Sequence, residues 1–540
     1  MSWLNTLSAL SGRNFLAEWR KSCFSCANVQ AEVLQDILFN ARFTEWGRKY
    51  DFSSVKNIEE FRARVPLSSW ENYQAAVVRM EDGEEDILFS GRTKYFLQTS
   101  GTTSAGKSIP ESELGAKAKQ IVVRARQYNI LDYFAVQTKV MGHTLAMSSS
   151  PVFGMTKGGI PLGFASGVTR SFSVSGLKDS AAYPPVITSL ADQEAVNYLI
   201  MRFALCHADL LSVSGNNAGR LAVLVNYARE HALELIADIA DGTISSRIVV
   251  PDSLRKELLK QLEPLPQRAA ELKNIFLQGS EFFIPRNYWP NLQTAVFWLS
   301  GTVGKYLDDV RSILPEQIVY FDLGYGASEA KINIPYLPGT ASGVLSSCTA
   351  FYEFIPESGG PIKLAHELEV GKNYEIVLTT YSGLYRYQLG DIVHVSGFLG
   401  DTPELIFLYK NGEVGNIGEE KIPASLLYEL NEEYLKAGGC DLVCCQIMAD
   451  EKARRYHVFL EAKGADCRHI NAAALDAYWR EKIVTYNFVR SQGYLQYLTL
   501  TLMKNGWREH LYACKKGVPA AQIKLPILIK EQPEAEWRIN

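Results

Sequence analysis

A run of small and hydroxylic residues, Thr99-Ser100-Gly101-Thr102-Thr103-Ser104-Ala105-Gly106, joins the strand-like Lys94–Leu97 to Lys107-Ser108-Ile109-Pro110. Side chains this small leave backbone N–H groups free to surround anionic oxygens, and Lys107 beside them counters the charge, so the segment reads as a phosphate loop. Taken literally, Gly101-xxxx-Gly106-Lys107-Ser108 satisfies the Walker A pattern, and Ile318-Val-Tyr-Phe-Asp322 passes for a Walker B strand. A Walker lysine opens a helix, whereas Pro110 biases Ile109 toward extended geometry. The hydroxyls also outnumber what that pattern demands. A Ser/Gly-rich surface loop without a ligand is the bland alternative.

The rest of the chain must build cores around such a loop. Its 540 residues imply two or more packed units, and 47 % hydrophobic with 21 % charged residues is the composition of a globular protein. Lys and Arg (55) nearly balance Asp and Glu (59), leaving a net charge of −4 and no basic face for nucleic acid. Nine cysteines, an odd number, read as reduced thiols. Cys23-Phe24-Ser25-Cys26 has CxxC spacing, but Cys444 and Cys445 are adjacent and supply no second pair, so a structural reading is preferred over a zinc or redox site. The N-terminal residues lack a basic segment ahead of an apolar one, and no apolar run reaches about 18 residues. These features predict a soluble cytoplasmic protein with neither membrane nor nucleic acid as partner.

Apolar spacing predicts helices within Trp3–Leu38 and over Glu194–Leu211 and Leu221–Ile239. Tyr374–Tyr381 and Leu384–Leu389 are strand-like around Ser382-Gly383, which predicts a hairpin; Gly390-Asp391 is expected to end its second arm before another strand, Ile392–Val395. Asn and Gly cluster over Lys410–Gly418, the best boundary. A smaller unit follows, with a helix Ala424–Leu435, strands near Leu442–Met448 and Arg455–Ala462, and a helix Ala472–Tyr486.

Two further segments carry chemistry. In Tyr325-Gly326-Ala327-Ser328-Glu329 the Tyr can stack on an adenine ring and the carboxylate can hold Mg²⁺ between phosphates; the plain alternative is a turn with a surface Glu. In Leu384-Tyr-Arg-Tyr-Gln-Leu-Gly-Asp391 an acceptor-only side chain at a strand end suits two ribose hydroxyls, or merely decorates a turn.

In this order and at these separations, the three segments resemble the core motifs of the adenylate-forming superfamily, which includes luciferases and acyl-CoA synthetases. They look most like the Gretchen Hagen family of auxin-responsive acyl-acid amido synthetases. The resemblance extends through Phe61-Arg-Ala-Arg-Val-Pro66, Phe351-Tyr-Glu-Phe-Ile-Pro356, Leu378-Thr-Thr-Tyr-Ser-Gly-Leu-Tyr-Arg-Tyr387 and Gln522-Ile-Lys524-Leu-Pro526. It implies an α/β fold. A large N-terminal domain (1–410), made of mixed α/β subdomains with a β-barrel part, binds ATP and the acid; a hinge (411–418) leads to a small mobile α+β C-terminal domain (419–540). The implied enzyme is an AMP-forming ligase that adenylates a small carboxylic acid and passes the acyl group to an amino acid, with ATP and Mg²⁺ required. By position, Thr99, Ser100, Gly101, Thr102, Thr103, Gly106 and Lys107 hold phosphates. Tyr325 through Ser328 meet the adenine, Glu329 the metal and Asp391 the ribose. Lys524 neutralises charge during adenylation, and Lys421 lies beside the hinge.

The chain also departs from the family pattern. Thr99 stands for a Ser and keeps its hydroxyl; Ile527 stands where an Arg is usual. Ala330-Lys331 replaces a Gly or aromatic next to the acyl pocket, so Lys331 either favours an acid with a second anionic or hydrogen-bond-accepting group or snorkels to solvent. Arg124 and Arg126 either pair with the acyl carboxylate or are solvated helix charges. An acyl-CoA synthetase, a P-loop NTPase and a non-catalytic nucleotide-binding module are the competing readings. These motifs encode neither the identity of the two substrates nor an oligomeric state.

Overall fold

In the computed structural model, which describes residues 2–98, 107–135, 142–148, 152–165, 181–216, 218–300, 307–410, 414–415, 417, 420, 422–464, 470–483, 486–487, 490, 495–515 and 525–539, the predicted N-terminal helical segment is three helices, Trp3–Ala9, Gly12–Ser22 and Cys26–Ala41. Their apolar stripe (Leu7, Phe15, Trp19, Val33, Leu34 and Ile37) is buried in one core with a seven-stranded sheet, which the third helix meets. Gln30 fixes the third helix to that sheet: its Nε2 donates to Ala350 O at 2.8 Å, and Tyr352 N donates to its Oε1 at 2.8 Å. The CxxC cysteines lie within this packing; Cys26 N donates to Asp401 Oδ1 (2.9 Å), and burial pushes both thiols up to about 12, which makes them inert.

The sheet runs in the order Lys363–Leu364, Phe351–Pro356, Asn373–Thr379, Tyr387–Leu399, Thr402–Lys410, Gly343–Leu345, Asn333–Ile334, and it is the counterpart of the expected barrel part. The predicted hairpin is present with shifted arms, Asn373–Thr379 and Tyr387–Leu399, and its connection includes Ser382 and Gly383. Gly390-Asp391 does not end the second arm. Gly390 takes φ +75° inside a continuous strand, a conformation that costs glycine nothing. Just before the strand, Arg386 takes φ +49°, held by its buried guanidinium: Nε and Nη2 donate to Glu353 (2.9 and 3.0 Å) and Nη1 to Val65 O (2.9 Å). Segments far apart in sequence therefore meet here.

A second core surrounds a four-stranded parallel sheet, His143–Met147, Leu210–Gly215, Thr294–Phe297 and Val319–Asp322. Two helix expectations change around it. The first helix stops at Ala204, because Leu210 and Leu211 belong to a strand; the second divides at His231 into Gly219–Glu230 and Ala232–Asp241.

The chain falls into two compact units, residues 1–389 with 393–407, and 390–392 with 408–540. In the second, strands Thr499–Leu502, Arg455–Gly464, Cys440–Asp450 and Leu528–Ile529 form a sheet whose core includes the helices Ala424–Ala437 and Ala472–Lys482. Of the expected hinge, Val414, Gly415 and Ile417 are described, and Val414–Gly415 pairs with Ile422–Pro423. Among the described residues no helix is long and apolar enough to cross a membrane.

Candidate functional site

Strand Tyr95–Gln98 pairs antiparallel with Ser108–Glu111, in the register Gln98↔Ser108 to Tyr95↔Glu111. Phe96, Leu97 and Ile109 anchor this hairpin in buried surroundings. Thr99, Ser100, Gly101, Thr102, Thr103 and Gly106 lie outside the described residues; Lys107 is described and leads into a strand. The next helix, Glu113–Ala135, begins only after that strand, so the strand–loop–helix order of a Walker A site is not met. The Walker B-like Asp322 is a structural carboxylate. It is 2 % exposed, it accepts from Leu299 N and Gly324 N at 2.7 Å each, and burial pushes it up to about 6.

Past Asp322, at the carboxyl end of the parallel sheet, the chain makes a tight turn. Ala327 N donates to Ala330 O (2.8 Å), Gly326 bridges to Lys331, and Ser328 and Glu329 stand at the tip. Tyr325 is fixed by its N–H to Asn333 Oδ1 (2.6 Å), and its ring stacks on Phe407 with centroids 5.0 Å apart, which covers one face. Lys119 holds the tip by donating to Ser328 O at 2.6 Å. Glu329, only 6 % exposed, accepts a long bond from Tyr387 Oη (3.5 Å), and Tyr387 Oη accepts from Lys107 Nζ at 3.1 Å. Burial first, and then the Glu329 charge, raise the Tyr387 pKa and keep its hydroxyl protonated. A lysine, a tyrosine and a glutamate thus form one chain from the end of the hairpin loop to the turn.

Beside this chain lies a recess lined by Glu111, Lys119, Glu329, Lys331, Thr380 and Ser382, among others. Lys119 and Glu111 are a buried ion pair, and Ser382 Oγ donates to Glu111 Oε1 at 2.6 Å. Gly115 makes this packing possible, since a Cβ there would come within 1.9 Å of Ser382 Oγ and 2.2 Å of Glu111 Oε1. Lys331 is mostly buried, with its stem over Gly326, where an added Cβ would meet Lys331 Cδ at 2.9 Å. Among the described residues its ammonium has no hydrogen-bond or ion-pair partner. Burial pushes that ammonium down to about 7, Lys119 and Arg126 act in the same direction, and Glu111 opposes them.

The two helix arginines serve otherwise than expected. Arg124 donates to Ser8 O (3.3 Å) and to Leu10 O, with its guanidinium 5.0 Å from the Phe15 ring centroid, so it ties the helix to the N-terminal ones. Arg126 donates to Leu323 O, and burial pushes it down to about 10. Neither lines the recess: Arg124 is taken by the carbonyls of Ser8 and Leu10, and Arg126 is held at Leu323 O. Asp391 belongs to the second unit, where it accepts from Lys410 Nζ at 3.0 Å. Lys421 and Lys524 lie outside the described residues.

The GH3 family N-terminal domain matches residues 15–319, the family's central domain residues 343–410 and its C-terminal domain residues 431–533. The chain belongs to the GH3 family. Indole-3-acetic acid-amido synthetase GH3.2 of Arabidopsis thaliana is 26 % identical over 432 residues, 73 % of this chain and 76 % of that protein. Jasmonoyl--L-amino acid synthetase JAR4 of Nicotiana attenuata is 26 % identical over 420 residues, 73 % of this chain and 70 % of its own length. The solved structure of the AtGH3.15 acyl acid amido synthetase in complex with 2,4-DB has the same fold, with a TM-score of 0.81 at 19 % identity, covering 96 % of this chain and 94 % of that one. Within this GH3 chain, sequence reasoning assigned no role to Tyr387, Lys119, Glu111 or Ser382. Tyr387 closes the Leu378–Tyr387 segment, which carries the resemblance without showing what the hydroxyl meets, and no local pattern marks Lys119, Glu111 or Ser382 as site residues.

Proposed function

We infer that this GH3 chain is an ATP-dependent acyl-acid amido synthetase. The carboxylate of a small acid attacks the α-phosphorus of ATP; the bond to the β-phosphate oxygen breaks, and acyl-adenylate and pyrophosphate result. The amine of an amino acid then attacks the acyl carbon, the bond to AMP breaks, and the amine proton passes to solvent. Splitting the condensation in this way replaces a poor leaving group with a good one.

The observation that carries the reading is the Lys107–Tyr387–Glu329 chain, which sets a cation and a carboxylate on either side of one hydroxyl at the base of the hairpin loop. We assign Ser100 through Lys107 to the phosphates, Tyr325 to the adenine and Asp391 to the ribose. One buried carboxylate, completed by phosphate oxygens and water, is a donor set that suits Mg²⁺, and Glu329 would hold it. The ion, when bound, neutralises phosphate charge. Tyr387 is a positioning residue that keeps Lys107 and Glu329 in register. Lys524 supplies the cation of the adenylation step, and Lys421 is a second catalytic lysine of the C-terminal region. The setting is cytosolic, where ATP is supplied and cysteines stay reduced.

The products test this. Acid-dependent turnover should yield AMP and pyrophosphate, and an amino acid rather than a thiol should be the acceptor; ADP as the main product would overturn the reading. Lys524→Ala should lose carboxylate-dependent pyrophosphate exchange by on the order of 10²–10³-fold, yet still convert a supplied acyl-adenylate and amino acid to amide. Loss of both half-reactions together would make Lys524 structural. Glu329→Gln should weaken binding of Mn²⁺, used as a spectroscopic probe in the presence of ATP, and unchanged binding would reject the metal assignment.

A further inference from the structure

The charges that line the recess do not cancel equally. Lys119 is matched by Glu111, which also accepts from Ser382, so that pair is complete without a ligand. Glu329 belongs to the metal and phosphates on the reading above. Lys331 remains: its stem is fixed over Gly326, and its ammonium has no hydrogen-bond or ion-pair partner among the described residues. A cation withdrawn from water without a partner is costly, and a bound anion relieves that cost through a charge-assisted hydrogen bond. An apolar acid gains nothing from such a group and leaves it buried and unmatched.

We propose that Lys331 makes this chain selective for acids carrying a second ionised carboxylate, one carboxylate attacking ATP while the other pairs with the Lys331 ammonium; this rests on the amido-synthetase reading. Because Lys331 lies two residues beyond Glu329 in one tight turn, the two carboxylates are those of a small diacid rather than of a long chain. The second carboxylate is not consumed. It stays ionised through both half-reactions and appears in the amide product.

The test pairs acids that differ only in that group, adipate against hexanoate and isophthalate or terephthalate against benzoate, with pyrophosphate release and AMP formation followed on the full chain. The diacid of at least one pair should be favoured by on the order of 10²-fold in kcat/KM, mostly through KM. Lys331→Met should erase that preference while the KM for ATP stays put, and Lys331→Arg should retain part of it. Monoacids used as well as or better than their diacid partners by the unaltered chain would overturn the proposal and leave the amido-synthetase reading intact. A diacid preference that survives Lys331→Met would overturn the assignment to Lys331. ATP cleaved to ADP, or no pyrophosphate from any acid or amino acid, would overturn both. The comparison of acids on the unaltered chain needs no variant, so a misfolded Lys331→Met protein does not rescue the idea.

Discussion

Two cationic groups in the same unit, one buried and one mostly buried, have opposite surroundings. Arg386 donates from all three guanidinium nitrogens to Glu353 and to backbone carbonyls, and Arg62 adds a bond to the same carboxylate at 2.7 Å. Lys331 lies on a formed recess and has no hydrogen-bond or ion-pair partner among the described residues. The first cluster is finished by folding: it pins the chain at a positive φ ahead of the strand Tyr387–Leu399. The second is finished only when something binds. The difference teaches that a buried charge is structural when the fold itself supplies its partner, and points to a ligand when it does not.

The comparison can be broken most directly at Glu353. Glu353→Gln leaves Arg386 buried without its counter-ion and should destabilise the unit by about 3–5 kcal/mol, read as a fall in the denaturant midpoint; a shift as small as that of a Lys331 variant would remove the contrast. A third way of handling a charge withdrawn from water, giving it up, is found at the partly buried His207. Its ring stacks on His143 at 3.7 Å, and burial followed by the His143 charge pushes it down to about 4. The folded value lies below the unfolded one, so the contribution is full above about pH 6.5 and is lost as pH falls toward 4. Stability should drop by on the order of 2 kcal/mol over that window, and His207→Asn should flatten the profile.

Smaller effects sharpen the contrast. Tyr387→Phe removes the hydroxyl between Lys107 and Glu329, and should slow pyrophosphate release about 10-fold without shifting the melting midpoint; a large stability loss would make Tyr387 core and nothing more. Lys331→Met should change stability by less than about 1 kcal/mol, toward greater stability, because it removes a charge that the fold itself does not pair. A clear loss of stability in that variant would mean Lys331 has a structural partner after all.

The chemistry-bearing segments were legible in the sequence because their signals are local. Pro110 alone argued against a helix after Lys107, and the structure has a strand there. The apolar spacing over 221–239 continues across His231, so the break between two helices with a shared buried face leaves no mark in the pattern. Gly390 reads as a strand end because its positive φ is invisible without the neighbouring strands that carry it. The recess was the least legible part. Glu111, Lys119 and Ser382 come from a strand, a helix and a connection, and only tertiary packing brings a serine at 382 to a glutamate at 111. Arg124 and Arg126 show the converse: helical spacing places them correctly on one helix but cannot tell which carbonyls they will meet.

The hairpin at 95–111 has a consequence for how such a protein can change over time. A nucleotide loop set between a strand and a helix is constrained in length, because each inserted residue turns the helix by about 100° and misdirects its buried face. Here the loop is closed at its base by paired strands. Doubling a closed loop costs only about 0.6 kcal/mol in chain entropy and leaves the register of both strands unaltered. Residues 99–106 can therefore be lengthened, shortened or rewritten in descendants while the core beneath is inherited intact, so what this loop binds and the stability of the fold can evolve as separate traits.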